Sequence, residues 1–283
     1  MPEKAKQTPE TGNELENSGT LFPLEEVGPA IPEEKLKEYD RIIEKVFHKL
    51  REANPNAGSL AFTLKDVKQT AIELGLVQEN PPDVAYTYRT GRSALPKSIL
   101  THGDWAITGA GKGKYEFMHL NRSPYVIIPE DLKIIRVLDA TPQIVLKYQG
   151  KDEQSILARI RYNRLIDTFT SLTTYHLQAH LRTSIKGLGQ VEMDDLYIGI
   201  NTDGDGFILP VEAKSEAPRD LLGVVQITQM VRFARKAFPG LKVRPIGVKL
   251  MKGTFVFLEF NDTDDVNLVA TETYKRYELY RER

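Results

Sequence analysis

Residues 190–214, QVEMDDLYIGINTDGDGFILPVEAK, decide how this chain is read. Gln190 to Ile200 has the alternation of a strand, and Asn201-Thr202-Asp203-Gly204-Asp205-Gly206 is a run of turn formers. Phe207 to Lys214 is a second strand. So short a connection forces the two strands to pair antiparallel. Successive side chains of a strand point to opposite faces, so Glu192 and Asp194 share one face, and Glu212 and Lys214 share one. Joining those faces sets two or three carboxylates beside one ammonium at the end of a sheet. Asp195 competes with Asp194 for the inner position, but regular alternation turns it away from Glu192. Asp203-Gly204-Asp205-Gly206 has the look of a calcium loop, yet its twelfth position is Lys214, where such a loop needs Glu. It is a turn.

Crowded carboxylates raise one another's pKa, and a bound cation is the simplest way to keep both ionised. Oxygen donors with no cysteine in the chain point to a hard ion, Mg²⁺, with Mn²⁺ as the alternative. An amine at Lys214 could then orient an attacking water and offset charge on a phosphate.

Asp194…Glu212-Ala213-Lys214 resembles the D…(E/D)-x-K signature of the PD-(D/E)xK nuclease superfamily, which includes many restriction endonucleases. Glu192-Met193-Asp194-x-Leu196 is similar to the E-h-D-x-L form of its first half. The resemblance covers roughly residues 150–260. It implies a restriction-endonuclease-like α/β core with a mixed central sheet flanked by helices. It also implies Asp194 and Glu212 as metal ligands, Lys214 as the catalytic lysine, and homodimers. Many members carry a Gln on the helix after the second half, and Gln226 is the nearer match of Gln226 and Gln229. Three features depart from the pattern or test it. No Pro precedes Asp194. E-x-K alone is common, since Glu33-Glu34-Lys35 also matches. Many members bear a Glu on the helix before the first strand, whereas the window Thr174–Thr183, read here as helix, offers His176, Gln178 and His180 but no acid. Glu192 and Gln178 are taken as supporting residues, Gln178 through water. The two histidines read as a second-shell or nucleic-acid-facing pair.

Working outward, helix is expected from about Asp152 to Thr170 and from Tyr175 to Arg182. After the hairpin come a helix from Asp220 to about Phe238 and strands at Lys242–Leu250 and Thr254–Phe260. Towards the N-terminus, apolar residues from Leu36 to Leu50 recur at helical spacing, and further helices are expected at Leu64–Leu74 and from Val84 to about Arg92, the last continuing loosely towards Leu100 as the reading helix. Trp105–Thr108 and Tyr115–Leu120 then flank the Gly109–Lys114 turn as a hairpin. Three helices followed by a hairpin is the order of a winged helix, over residues 32–122. Its DNA-facing candidates are Tyr88, Arg89, Arg92 and Lys97 on the reading helix, and Lys112 and Lys114 on the wing. The glycine-rich turn lacks the spacing of a phosphate loop. Residues 123–150 read as a connector, and 151–283 as the nuclease domain.

Residues 1–31 are Glu-rich and broken by Pro2, Pro9, Pro23 and Pro29, which reads as a flexible acidic arm. Residues 1–35 hold eight Glu and three Lys, a formal −5, so the rest carries 35 basic and 31 acidic residues, or +4. That surplus suits a polyanion partner without requiring one. The chain shows neither the run of about 20 apolar residues that spans a membrane nor an apolar signal segment at its start. A cytoplasmic protein with no membrane partner is expected. The leading functional expectation is a metal-dependent DNA endonuclease in restriction or another defence role. The alternatives are a winged-helix DNA-binding regulator with a non-catalytic nuclease-like domain, and a structure-specific DNA or RNA nuclease.

Overall fold

A computed structural model describes residues 32–150, 153–185 and 189–282; the expected N-terminal arm lies outside them. Helix α1 (Glu33–Ala53) buries Tyr39, Ile42, Ile43, Val46 and Phe47 on one stripe, with Glu33 and Glu34 in its first turn and Arg51 in its last, matching the helix dipole. Strand β1 (Ser59–Thr63) runs directly into α2 (Leu64–Glu73), where the Thr63 hydroxyl and the Asp66 carboxylate cap each other's backbone amides. Helix α3 (Pro81–Arg89) opens on two prolines, and the short α4 (Lys97–Leu100) follows. Strands β2 (Trp105–Gly109) and β3 (Lys114–His119) form the expected hairpin, and β1, not foreseen in the sequence, joins it in an antiparallel sheet of order β1-β3-β2. Phe47, Phe62, Trp105 and Phe117 interlock in the core beneath it, Phe47 meeting both Trp105 and Phe117 edge-on at 5.2 Å.

The larger unit begins with β4 (Ile134–Leu138), α5 (Gln143–Tyr148), α6 (Glu153–Tyr162) and α7 (Leu165–Thr170). Then come β5 (Thr173–Ile185), β6 (Gly189–Ile200), β7 (Gly206–Lys214), α8 (Val224–Ala237), β8 (Lys242–Val243), β9 (Ile246–Met251), β10 (Thr254–Phe260) and β11 (Thr271–Tyr280). Eight strands make one mixed sheet of order β4-β11-β10-β9-β7-β6-β5, with β8 also paired to β7. The pairs β7–β9, β7–β8 and β11–β4 are parallel and the rest antiparallel. Residues 123–150 thus supply an edge strand and a helix to this sheet.

Helices cover both faces. Along β10, Phe255 and Phe257 enter the core under α6 and α7, while Val256, Leu258 and Phe260 enter the core under α8, as period-two alternation requires. Ala106 and Leu120 of the smaller unit belong to the α8-side core, so the two units share packed surface. Among the described residues, no helix is long and apolar enough to cross a membrane.

One expected helix is a strand. Tyr175–Arg182 lies within β5, whose thirteen residues form the sheet edge opposite β4. Rungs from Thr173↔Ile200 to Ile185↔Gly189 pair it with β6. Tyr175, Leu177 and Leu181 fall at spacings compatible with either period, and partnership with β6 settles the choice. A register shift between His176 and Gln178, with His180 at φ 45°, absorbs the irregularity.

Candidate active site

The β6–β7 ladder ends on the rung Asp195↔Val211. One position further out, Asp194 and Glu212 leave the two strands side by side. Asp194 Oδ2 accepts the Ala213 N–H at 2.7 Å, replacing the ladder bond. Glu212 and Lys214 are buried, at 5% and 4% exposure. The Lys214 Nζ lies 3.0 Å from Glu212 Oε1 and 3.6 Å from Asp220 Oδ1, and donates to the Thr90 carbonyl at 3.4 Å.

These distances set the protonation chemistry. Burial, reinforced by Glu212, drives the Asp194 carboxyl well above its ordinary range. Burial also raises Glu212, against the opposing pull of the Lys214 ammonium. Burial and Glu212 together push Glu192 up to about 7, with the Arg182 guanidinium touching one of its oxygens. Lys214 goes the other way: burial alone would discharge it, but Glu212, Asp220 and Asp194 hold it protonated. The ammonium therefore occupies the place of a counter-ion among carboxylates that resist ionising together.

Gln226 on α8 completes the inner wall. Its amide lies within hydrogen-bonding reach of Glu212, while its Oε1 is buried without a partner. Leaving such an acceptor unmet costs about 1–3 kcal/mol. Gly91 packs against the same point. A Cβ there would stand 2.9 Å from the Leu221 carbonyl oxygen, 3.2 Å from Gln226 Oε1 and 3.4 Å from Lys214 Nζ, and its φ is +73°. Gly91→Ala should therefore cost roughly 1–2 kcal/mol in backbone strain alone. It should also shift Lys214 and lower any cleavage rate by up to about 10²-fold. Thermal melts and rate assays on the same preparation would check both.

Among the described residues, no three His, Asp or Glu side chains gather closely enough to cage a metal ion. Mg²⁺ does not ask for a full protein cage: one or two carboxylates plus substrate oxygens are its usual complement. Asp194 and Glu212, oxygen donors held next to each other and reluctant to ionise together, fit that pattern. The linkage has a definite sign. A carboxyl whose folded pKa lies above its unfolded value withdraws stability as pH rises through the folded value. The metal-free protein should lose stability on going from mildly acidic to alkaline pH. Mg²⁺, which binds the ionised forms, should restore more of it at higher pH. A melting-temperature increment from Mg²⁺ that shrinks with pH would contradict this assignment.

Asp195 points to the opposite face, as alternation demands. Fully buried, it accepts from Arg161 at 2.7 and 3.1 Å and from the Tyr197 hydroxyl at 3.2 Å, and contacts His176 Nε2 at 3.1 Å. His176 is thus a partner of Asp195. The supporting residue Gln178 is exposed on β5 opposite Leu196, on a strand and not on the expected helix.

The reading-helix assignment needs correcting at two positions. Tyr88 and Arg89 are 4% and 7% exposed. The Tyr88 hydroxyl donates to Asp40 at 2.7 Å, and the Arg89 guanidinium lies 5.3 Å from the centre of the Tyr86 ring. Both serve the interior: Tyr88 packs onto α1, and Arg89 lies between the Tyr86 ring and Tyr115 of β3. Arg92, Lys97, Lys112 and Lys114 are exposed.

Sequence reasoning missed three contributors. Asp220 supports Lys214 and accepts the Ser215 N–H and hydroxyl at 2.6 and 2.7 Å. Glu153, in the first turn of α6, acts electrostatically on Asp194, so a helix ahead of β5 does carry an acid. The window Thr174–Thr183 lies two elements further on, in β5. Arg219 holds the two units together through both Asp40 oxygens at 2.8 Å and the Ala94 carbonyl at 2.9 Å. Comparison with family models, curated proteins and solved structures finds no match to this chain.

Proposed function

We propose that this protein is a metal-dependent endonuclease acting on DNA, with a PD-(D/E)xK-type core and a winged-helix-type reader. The observation that carries the reading is the adjacency of Asp194 and Glu212 at the fraying end of one hairpin, with the Lys214 amine 3.0 Å from Glu212. The order α1-β1-α2-α3-α4-β2-β3 of the smaller unit, with Lys112 and Lys114 at its hairpin tip, supports the reader. Asp194 and Glu212 would hold Mg²⁺ or Mn²⁺, which when bound stabilises charge on the phosphate and the attacking water. Lys214, kept protonated by three acids, orients the water and offsets charge at the scissile phosphate. Gln226 braces Glu212 from α8, with its buried Oε1 next to Gly91. A homodimer suits cutting two strands.

The decisive experiment incubates the protein with plasmid and with methylated genomic DNA, in Mg²⁺ or in EDTA, beside Asp194→Ala and Lys214→Ala. Cleavage by wild type only with metal, lost in both variants, is the expected result. Linear, branched and RNA substrates run in parallel resolve the substrate class.

One observation favours a second reading. Lys214 is tied to Glu212, Asp220 and Thr90 beneath the smaller unit, as in a DNA-binding regulator whose larger domain does not cut. That reading predicts DNA binding without cleavage in Mg²⁺.

A further inference from the structure

Where the two units meet beside the candidate active site, three guanidinium groups surround one aromatic ring. Tyr86 on α3 has the Arg89 guanidinium 5.3 Å and the Arg92 guanidinium 4.8 Å from its ring centre. Its hydroxyl accepts from Arg182 at 3.3 Å. Arg182 comes from β5, across the seam, and its Nε touches Glu192, on the strand that carries Asp194. Gly91, the neighbour of Arg92, is the residue that abuts Lys214 Nζ. Arg92 is therefore one residue along the chain from the backbone that packs on Lys214.

The bland explanation is a staple between the units, and it serves for Arg182, which bridges Tyr86 and Glu192. It does not serve for Arg92, just past the end of α3, whose partner Asp83 on that helix stands at 3.7 Å and also accepts the Tyr39 hydroxyl at 2.9 Å. Arg89 is buried, whereas the Arg92 and Arg182 side chains are 38% and 51% exposed. A planar guanidinium presents paired N–H donors in the geometry that phosphate oxygens accept, and a ring beneath it limits the entropy lost on binding.

We infer that Arg92 and Arg182 form a clamp for a backbone phosphate of duplex DNA, beside the phosphate that Lys214 addresses, with Tyr86 as the platform holding both forks. Its placement beside a scissile phosphate rests on the nuclease reading; its affinity for the DNA backbone does not. Phosphate contacts fix register and carry no sequence information. Because one arginine comes from each unit, the clamp exists only while the units are docked. It ties the position of the reader to the position of the cut.

The test uses the full chain, a short duplex of mixed sequence and EDTA to prevent cleavage, with binding followed by fluorescence anisotropy across a salt series. The variants are the Arg92→Gln/Arg182→Gln pair and the charge-retaining Arg92→Lys/Arg182→Lys pair, each checked for folding by its thermal melt. Each neutralised phosphate contributes about 0.9 to the slope of log affinity against log salt, so the Gln pair, which releases one, should flatten it by about 0.9. Weakening should be equal on unrelated sequences, and the Lys pair should keep the wild-type slope. An unchanged slope in the Gln pair overturns the clamp, and so does equal flattening in the Lys pair, which would mark a structural staple. No duplex binding by wild type overturns it as well. Wild type that binds but never cuts in Mg²⁺, with a flattened slope in the Gln pair, would sink the nuclease reading and leave the clamp standing. Cutting in Mg²⁺ with equal slopes throughout would do the reverse.

Discussion

Lys214→Ala is expected to reduce metal-dependent cleavage by about 10²–10³-fold or more, the usual cost of deleting one group that stabilises transition-state charge. The chain should nevertheless stay folded. The two acids that Lys214 leaves behind have other recourse. Burial already raises the Glu212 carboxyl, so it can take up a proton instead of remaining a buried charge. Asp220 keeps the Ser215 N–H and hydroxyl as donors. The variant should therefore melt cooperatively, more stably at mildly acidic pH than at alkaline pH, and still bind DNA in EDTA. Cleavage assays beside melts on one preparation separate loss of chemistry from loss of fold. Wild-type rates in Lys214→Ala would remove this lysine from the mechanism.

Two adjacent acids should behave in opposite ways. Asp195→Ala strips Arg161 of both its carboxylate bonds and leaves Tyr197 and His176 facing a void. Breaking a buried pair of this kind costs about 3–5 kcal/mol, a large part of the 5–15 kcal/mol that a domain usually has. The denaturation midpoint should fall sharply, or the protein should fail to accumulate. Asp194→Asn should do the reverse. The side-chain oxygen that takes the Ala213 N–H is retained, and a carboxylate that burial and Glu212 disfavour is gone. Stability at neutral pH should hold or rise while cleavage disappears. Chemical denaturation of both variants at one pH is sufficient, and similar midpoints would mean that the faces of β6 have been assigned the wrong way round.

Much of the site could be read from order along the chain. The turn at 201–206 and the period-two pattern on either side put Glu212 and Lys214 on one face and turned Asp195 away from Asp194, because alternation is a local property of extended backbone. The helix stripe of α1, the β2–β3 hairpin and Gln226 on α8 were legible for the same reason. Three things were not. β5 looked helical because its apolar spacings satisfy either period, and only the rungs to β6 decide between them. β4 and β11 lie more than a hundred residues apart, and nothing in either run names the other as partner. Tyr88 and Arg89 carry the chemistry of a DNA-reading helix, yet Tyr88 packs inward on α1 and Arg89 is buried beside Tyr86 and Tyr115. Sequence alone determined which residue types could share a strand face and so form a pair of adjacent carboxylates. Tertiary structure decided what surrounds that pair: Thr90 and Gly91 closing over Lys214, Asp220 behind it, Glu153 across from Asp194. The Thr90 and Gly91 contacts form only when the two packed units meet, and the Glu153 and Asp220 placements depend on how the larger unit folds, which no local pattern encodes.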